Sequence, residues 1–229
     1  MYKGIIFDFN GTLFWDSEKH QQAWREFSKR LRDHAFTDEE MRDYMFGRTN
    51  EDIIAYLIGK KPDAELVEKF AKEKEAVYRD MCAKDAENTV LAPGAVDFLN
   101  YLAENNIPRT IATMSEKDNV DFYIKEFDLA KWFDIGKIVY ADGTIPGKPA
   151  PDIYVKAADK LNLTPQDCIV VEDAVSGIEA ARNAGIGKII AIASMESVDL
   201  YKNIPVVSQI IKNFDEINRN IFEIPCLKK

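Results

Sequence analysis

Cysteine is scarce in this chain: Cys82, Cys168 and Cys226 are the three among 229 residues, and none stands at a paired or metal-type spacing. Cys168 lies in the apolar run CIVV, where a small buried thiol is the ordinary explanation. A reducing cytoplasm is the simplest expectation. Long apolar runs are missing too. No stretch approaches the roughly 20 residues that a membrane-spanning helix needs. The opening MYKGIIFDF lacks the apolar region and small-residue cleavage site of a signal peptide, and reads as the first strand of the mature fold. There is no basic block or stripe. With 39 acidic against 30 basic residues and a net charge of −9, neither a nucleic-acid partner nor a membrane is expected. Internal repeats and low-complexity tracts are also absent. What is present is a chain of 46% hydrophobic residues, long enough for a sizeable core. That length suits one α/β domain with an insert, or two small domains sharing a linker.

Five short apolar runs read as parallel strands: Gly4–Phe7, Thr110–Thr113, Ile138–Tyr140, Cys168–Val171 and Lys188–Ala193. Helical patterns such as Ala95–Asn105 and Ile153–Leu161 separate the later four. Val206–Ile211 adds a possible sixth strand, and a last helix is expected over Asn213–Ile221. This alternation predicts an α/β fold with a Rossmann-like, doubly wound parallel sheet. The long stretch between the first two strands has no strand-like alternation. Ala23, Trp24, Phe27 and Leu31 form one helix face; Leu66, Val67, Phe70, Val77, Tyr78 and Met81 form another. The expected organisation is a catalytic core of residues 1–14 plus 89–229, with an inserted helical cap of residues 15–88. Ala92-Pro93-Gly94 is a turn signal at the return point, and the two crossings make a natural hinge.

Polar groups stand at four strand ends. FDFNGTL puts Asp8 at the end of the first apolar run, although Asn10-Gly11 is also a strong hairpin signal, so Ile5–Phe14 taken alone reads equally as two antiparallel strands. Thr113 and Ser115 follow the second run, with Asp118 completing a capping-box-like pattern. Lys148 stands in GKPAPD, ahead of a helix. Glu172 and Asp173 follow CIVV, and Ser176 with Glu179 suggests another capped helix start. Strand carboxyl ends converge in such a sheet. A hydroxyl, an ammonium and helix amino termini together suit a phosphate. Several carboxylates near one point call for a cation, and an all-oxygen site beside phosphate favours Mg2+. Singly, each residue has an ordinary explanation: a β-former at a strand end, a solvated loop lysine, acids at a helix start.

The four motifs in this order resemble the haloacid dehalogenase superfamily, the aspartate-nucleophile phosphatases and phosphomutases with a helical cap. The resemblance implies that Asp8 attacks phosphorus to give an aspartyl-phosphate, and that Thr113 and Lys148 hold the phosphoryl group. It also implies that Asp8, the Asn10 carbonyl and Asp173 bind magnesium with Glu172 close by. Within the superfamily the cap is similar to that of the beta-phosphoglucomutase-like group. DSEKHQQAW carries that group's hinge signature with His20 and Trp24, and GRTNEDI from Gly47 is similar to its substrate-facing loop. Substrate contacts are expected from His20, Trp24, Arg48, Asn50, Lys74 and Ser115. Lys74 sits on the apolar face of its helix, where it either snorkels or points into a cleft.

Asn10 is the departure. The family normally has aspartate there, acting as general acid and then general base. An amide cannot exchange a proton at physiological pH, so turnover is expected to fall by roughly 10²- to 10⁴-fold, least for good leaving groups. Asn10 is then an engineered change, a natural trait with another substrate or with water moving the proton, or the mark of a phosphate-ligand binder with little turnover. Carbon–halogen and carbon–phosphorus substrates stay open, the latter disfavoured because no cap lysine stands where imine chemistry needs one. Asn50 takes the place of the mutase's cap arginine, and Glu116 stands where the mutase has a base. Both favour a phosphatase of a small phosphorylated metabolite, a sugar or polyol monophosphate, over a sugar phosphomutase. A monomer or weak dimer is expected.

Overall fold

The computed structural model describes residues 1–45, 48–194 and 198–223. Gly47 of the GRTNEDI loop and Cys226 lie outside them. The chain divides into two compact units, one of Met1–Trp15 with Val90–Lys229, the other of Asp16–Thr89.

The larger unit is built on six parallel strands: β1 (Gly4–Phe7), β2 (Arg109–Glu116), β3 (Val139–Ala141), β4 (Cys168–Glu172), β5 (Lys188–Ile192) and β6 (Val207–Ile211). Their order is β3-β2-β1-β4-β5-β6, the Rossmann arrangement, whose direction reverses between β1 and β4. Every residue of β1 is buried. A strand covered on both faces needs a continuous apolar run, which is what GIIF supplies. Ile6 joins the cluster with Ile153, Ala157 and Ile178, while the next residue, Phe7, meets Phe98, Phe133 and Phe214 at 6.0–6.3 Å. Opposite-facing neighbours in a pleated strand thus reach two different helical layers.

The hairpin alternative at Asn10-Gly11 does not occur. β1 is paired on both sides, with β2 and with β4, so no returning strand can lie beside it. The chain instead folds on itself locally. Gly11 takes φ +76°, Phe14 N–H donates to Phe9 O at 2.9 Å, and Gly11 N–H donates to Phe14 O at 2.7 Å.

Around the sheet lie α5 (Ala95–Glu104), α6 (Lys117–Glu126), α7 (Asp152–Lys160), α8 (Val175–Asn183) and α9 (Val198–Lys202). The other unit contains α1 (Ser17–Arg32), α2 (Asp38–Tyr44), α3 (Asn50–Ile58) and α4 (Ala64–Lys84). No strand occurs among the described residues of that unit. Its core joins Trp24 and Phe27 of α1 to Ile53, Ile54 and Leu57 of α3, with Val67 and Phe70 of α4 packed against them. α2 and α3 open with true capping boxes, Thr37 with Glu40 and Thr49 with Asp52.

The last helix expected over Asn213–Ile221 is replaced by two 3-10 turns, Phe214–Glu216 and Arg219–Ile221. The cause is local. The Asn213 and Asn218 side chains accept the N–H groups of Asp215 and Asn220, both at 3.0 Å, and draw the backbone into turns that compete with a helix. No described helix is long and apolar enough to cross a membrane.

Candidate active site

β1 and β4 end side by side at the reversal point of the sheet, so Asp8, which follows β1, and Glu172, the last residue of β4, meet there. Asp8 N–H donates to Val171 O at 3.0 Å. Lys148, from the loop before α7, bridges the two carboxylates: its Nζ lies 2.7 Å from Asp8 Oδ1 and 2.5 Å from Glu172 Oε1. All three are nearly shut off from solvent, with side-chain exposures of 8% for Lys148, 9% for Asp8 and 1% for Glu172. A buried ammonium between two carboxylates is tolerable because each charge has a partner.

Glu172 is further committed. Its Oε1 accepts from the buried Tyr154 hydroxyl at 2.9 Å, and its Oε2 accepts from Ala174 N–H at 2.8 Å. Thr12 donates to Asp173 Oδ1 at 3.1 Å, and the Tyr201 hydroxyl fixes the Asp173 backbone carbonyl at 2.6 Å. One oxygen each from Asp8, Glu172 and Asp173 lie within 4.8 Å of one another.

Electrostatics follow from this crowding. Burial, then the neighbouring Glu172 and Asp8 carboxylates, push the Asp173 carboxyl up to about 8, against the pull of Thr12. Burial alone would lower the Lys148 ammonium, but Asp8 and Glu172 outweigh it and hold the pKa well above the usual lysine value. Burial and then Glu172 raise the Tyr154 phenol strongly. Burial pushes the Cys168 thiol up to about 12, so it is not a thiolate at neutral pH. Three mutually repelling carboxylates at the end of a sheet are a donor set that a hard divalent cation fits.

Two glycines let the carboxylates sit where they do. A Cβ on Gly11 would lie 2.1 Å from Asp173 Oδ2, and one on Gly177 would lie 1.7 Å from Glu172 Oε1. Gly177 is inside α8, where alanine would add about 1 kcal/mol of helix propensity. The displaced Glu172 carboxylate outweighs that gain, since overpacking alone costs about 1–3 kcal/mol and breaking a buried ion pair about 3–5 kcal/mol. Gly177→Ala is therefore expected to lower the denaturant midpoint by an amount worth about 1–3 kcal/mol. An unchanged or raised midpoint would show that Glu172 can move freely.

Asn10 lies beside this cluster. Its Nδ2 donates to the Tyr123 hydroxyl at 2.8 Å, and its Oδ1 accepts from Ser115 Oγ at 2.7 Å and from Thr113 Oγ1 at 3.4 Å. Ser115 N–H donates to Thr113 Oγ1 at 3.1 Å. Ser115 therefore spends its hydroxyl on Asn10 and does not cap α6, whose N-cap is Glu116 with no side-chain bond. Ser176 is likewise no cap; α8 starts from Ala174, whose N–H is taken by Glu172.

In the Asp16–Thr89 unit, His20, Trp24 and Lys74 come together. Lys74 does not snorkel: it is 3% exposed. Its Nζ pairs with Glu75, lies 5.3 Å from the centre of the Trp24 ring and donates to His20 Nδ1 at 3.3 Å. The imidazole stacks on Tyr78 at 4.0 Å, and its Nε2 faces the buried Asp16 carboxylate at 3.3 Å. Asp16 also accepts from the Tyr78 hydroxyl at 2.5 Å. Arg48 and Asn50 stand at the start of α3, and both are exposed.

Sequence reasoning passed over Thr12, Tyr123, Tyr154 and Tyr201. Tyr154 had a usable signal. It shares the buried face of α7 with Ile153, Ala157 and Ala158, and a buried phenol needs an acceptor.

The haloacid dehalogenase-like hydrolase family model matches residues 2–185. A solved structure from Entamoeba histolytica, described as a HAD hydrolase of family IA, variant 3, is 40% identical, with a TM-score of 0.90 over 95% of this chain and 96% of that one. A phosphorylated carbohydrates phosphatase of Thermotoga maritima is 27% identical over 194 residues, 83% of this chain and 85% of that protein. The beta-phosphoglucomutase of Bacillus subtilis is 30% identical over 190 residues, 80% of each. This chain belongs to the haloacid dehalogenase-like hydrolase family, in its beta-phosphoglucomutase-like group.

Proposed function

We propose that this protein is a magnesium-dependent phosphohydrolase acting on a small phosphorylated metabolite, a sugar or polyol monophosphate, in the cytoplasm. One observation carries the reading: Asp8 stands at the carboxyl end of the central strand with Lys148 Nζ 2.7 Å away, inside a cluster of three carboxylates. The Thermotoga maritima relative, a phosphatase of phosphorylated carbohydrates, supports the substrate class.

In this reading Asp8 Oδ attacks phosphorus. The bond from phosphorus to the leaving oxygen breaks, and that oxygen departs with the electron pair and takes a proton from water. Water then attacks the aspartyl-phosphate, the bond from phosphorus to Asp8 breaks, and the carboxylate is restored as inorganic phosphate leaves. Lys148 and Thr113 hold the phosphoryl oxygens. Lys148 meets the substrate as an ammonium, since its two carboxylate neighbours hold its pKa high. Asp8, Asp173 and the Asn10 carbonyl, with Glu172 close by, would hold Mg2+, which supplies charge neutralisation for carboxylates and phosphate. The helical unit is assigned the choice of substrate through His20, Trp24 and Lys74, with Arg48 and Asn50. Glu116, exposed at the start of α6, disfavours a second phosphate and hence a mutase.

The test is phosphate release over a panel of sugar phosphates and acetyl phosphate. Release is expected to stop on chelation with EDTA and to return with Mg2+ alone. Turnover that is indifferent to EDTA would remove the metal from the proposal. Phosphate binding without any turnover would make the protein a binder.

A further inference from the structure

The Asn10 amide is gripped at both ends. Tyr123 takes its N–H at 2.8 Å, and Ser115 donates to its oxygen at 2.7 Å. Tyr123 comes from α6 and is 1% exposed, and its ring stacks on Phe9 at 4.3 Å with 22° between planes. One side chain therefore bears on both residues that follow Asp8, through its face on Phe9 and its hydroxyl on Asn10. Phenylalanine would fill the same space, so the ring alone does not account for the hydroxyl. A phenol in an apolar layer is costly unless it is bonded, and here its oxygen accepts from the Asn10 amide.

We infer that Tyr123 is a positioning residue for the Asp8 site, acting through Asn10: its hydroxyl anchors the amide so that Ser115 and Thr113 are lined up on a single acceptor oxygen. The inference rests on the phosphohydrolase reading and goes beyond it, because Tyr123 lies outside all four strand-end motifs. Ser115 N–H fixes Thr113 Oγ1 at 3.1 Å, and both hydroxyls converge on Asn10 Oδ1 at 2.7 and 3.4 Å. An arriving phosphoryl oxygen then replaces one acceptor by another, with the donors already in place. That is preorganisation, which acts on the chemical step more than on ground-state binding.

Tyr123→Phe keeps the stacked ring and removes the hydroxyl alone. With a sugar phosphate that the chain turns over, and Mg2+, kcat is expected to fall about three- to tenfold with KM nearly unchanged, the worth of one neutral hydrogen bond. In an Asn10→Ala background the same change is expected to cost nothing more, because the group it acts through has gone. Equal losses in both backgrounds, or a change in KM alone, would mean that the hydroxyl serves only packing or binding, and would overturn the inference. Ser115→Ala loosens the other end of the amide and gives a second cycle with Asn10→Ala, so a poorly folding Tyr123→Phe would not shelter the idea. Asp8→Asn in the same assay separates the failures. If activity survives it, the phosphohydrolase reading falls and the inference with it. If activity needs Asp8 but Tyr123→Phe matches the native chain, the inference alone falls.

Discussion

Asp8→Asn is expected to reduce phosphate release by at least about 10⁴-fold, the scale seen when an enzyme loses its nucleophile, while leaving the fold intact. The amide has the shape of the carboxylate, so the volume at the end of β1 is unchanged. Lys148 loses one charged partner but keeps Glu172 at 2.5 Å, so the buried ammonium is not orphaned. The substitution also removes one of three carboxylates whose oxygens lie within 4.8 Å of one another. Asp8 is among the causes that push Asp173 up to about 8, so repulsion lost there opposes attraction lost at Lys148. The net change in stability is expected to stay within about 1 kcal/mol, read as an almost unmoved denaturant midpoint. Acid-stable, hydroxylamine-labile labelling of the native chain by acetyl phosphate should vanish in the variant. If Asp8→Asn keeps more than a tenth of the activity, Asp8 is not the nucleophile.

Much of the sheet was legible because parallel strands buried on both faces must be written as apolar runs, as GIIF and CIVV are. The proximity of Asp8, Glu172 and Asp173 followed from strand ends alone, since the carboxyl ends of β1 and β4 meet where the sheet reverses; Lys148 reaches them from the loop before α7. What could not be read was which side chain answers which. Ser115 with Asp118 and Ser176 with Glu179 have the spacing of capping boxes, as do Thr37 with Glu40 and Thr49 with Asp52. Only the latter two are boxes. The difference is tertiary: Asn10 reaches Ser115 from another strand end, and Glu172 reaches the start of α8 from β4. A local pattern holds where no distant partner competes for its groups.

The same limit explains the tyrosines. Tyr123 and Tyr154 occupy buried helix positions that any large apolar residue could fill, so periodicity marks them as core and is silent about their hydroxyls. Their partners, Asn10, which donates to Tyr123, and Glu172, which accepts from Tyr154, are 113 and 18 residues away along the chain. The Asn-Gly turn failed in the opposite direction. Its hairpin preference is real, but β1 already has a neighbour on each edge, and β pairing decided the outcome.

Asn10→Asp is expected to raise kcat by about 10²- to 10⁴-fold, the worth of a positioned acid–base group, and the size of the gain should depend on which step limits. A carboxylate at Asn10 would face the hydroxyls of Tyr123, Ser115 and Thr113, which now lie 2.8, 2.7 and 3.4 Å from the amide. Three donors favour the ionised form, so Asp at this position would serve better as a base than as an acid. Its larger contribution would then be to take the proton from water in breaking down the aspartyl-phosphate, a step shared by every substrate. In the native chain, good leaving groups depart without proton help, and breakdown becomes the slow step. Acetyl phosphate should therefore give a burst of product close to one equivalent of enzyme, followed by a slow steady rate. The variant should lose the burst and gain most in the steady rate. Sugar phosphates, whose alkoxides need a proton, should show no burst in the native chain and, against the leaving-group order expected from the sequence, a smaller gain, because a carboxylate held ionised by three hydroxyls is the poorer acid. Rapid-quench product analysis beside steady-state assays of both proteins reads these outcomes directly. If the variant is no faster on any substrate, the proton chemistry does not pass through this position, and the grip of Tyr123 and Ser115 on Asn10 has some purpose other than turnover.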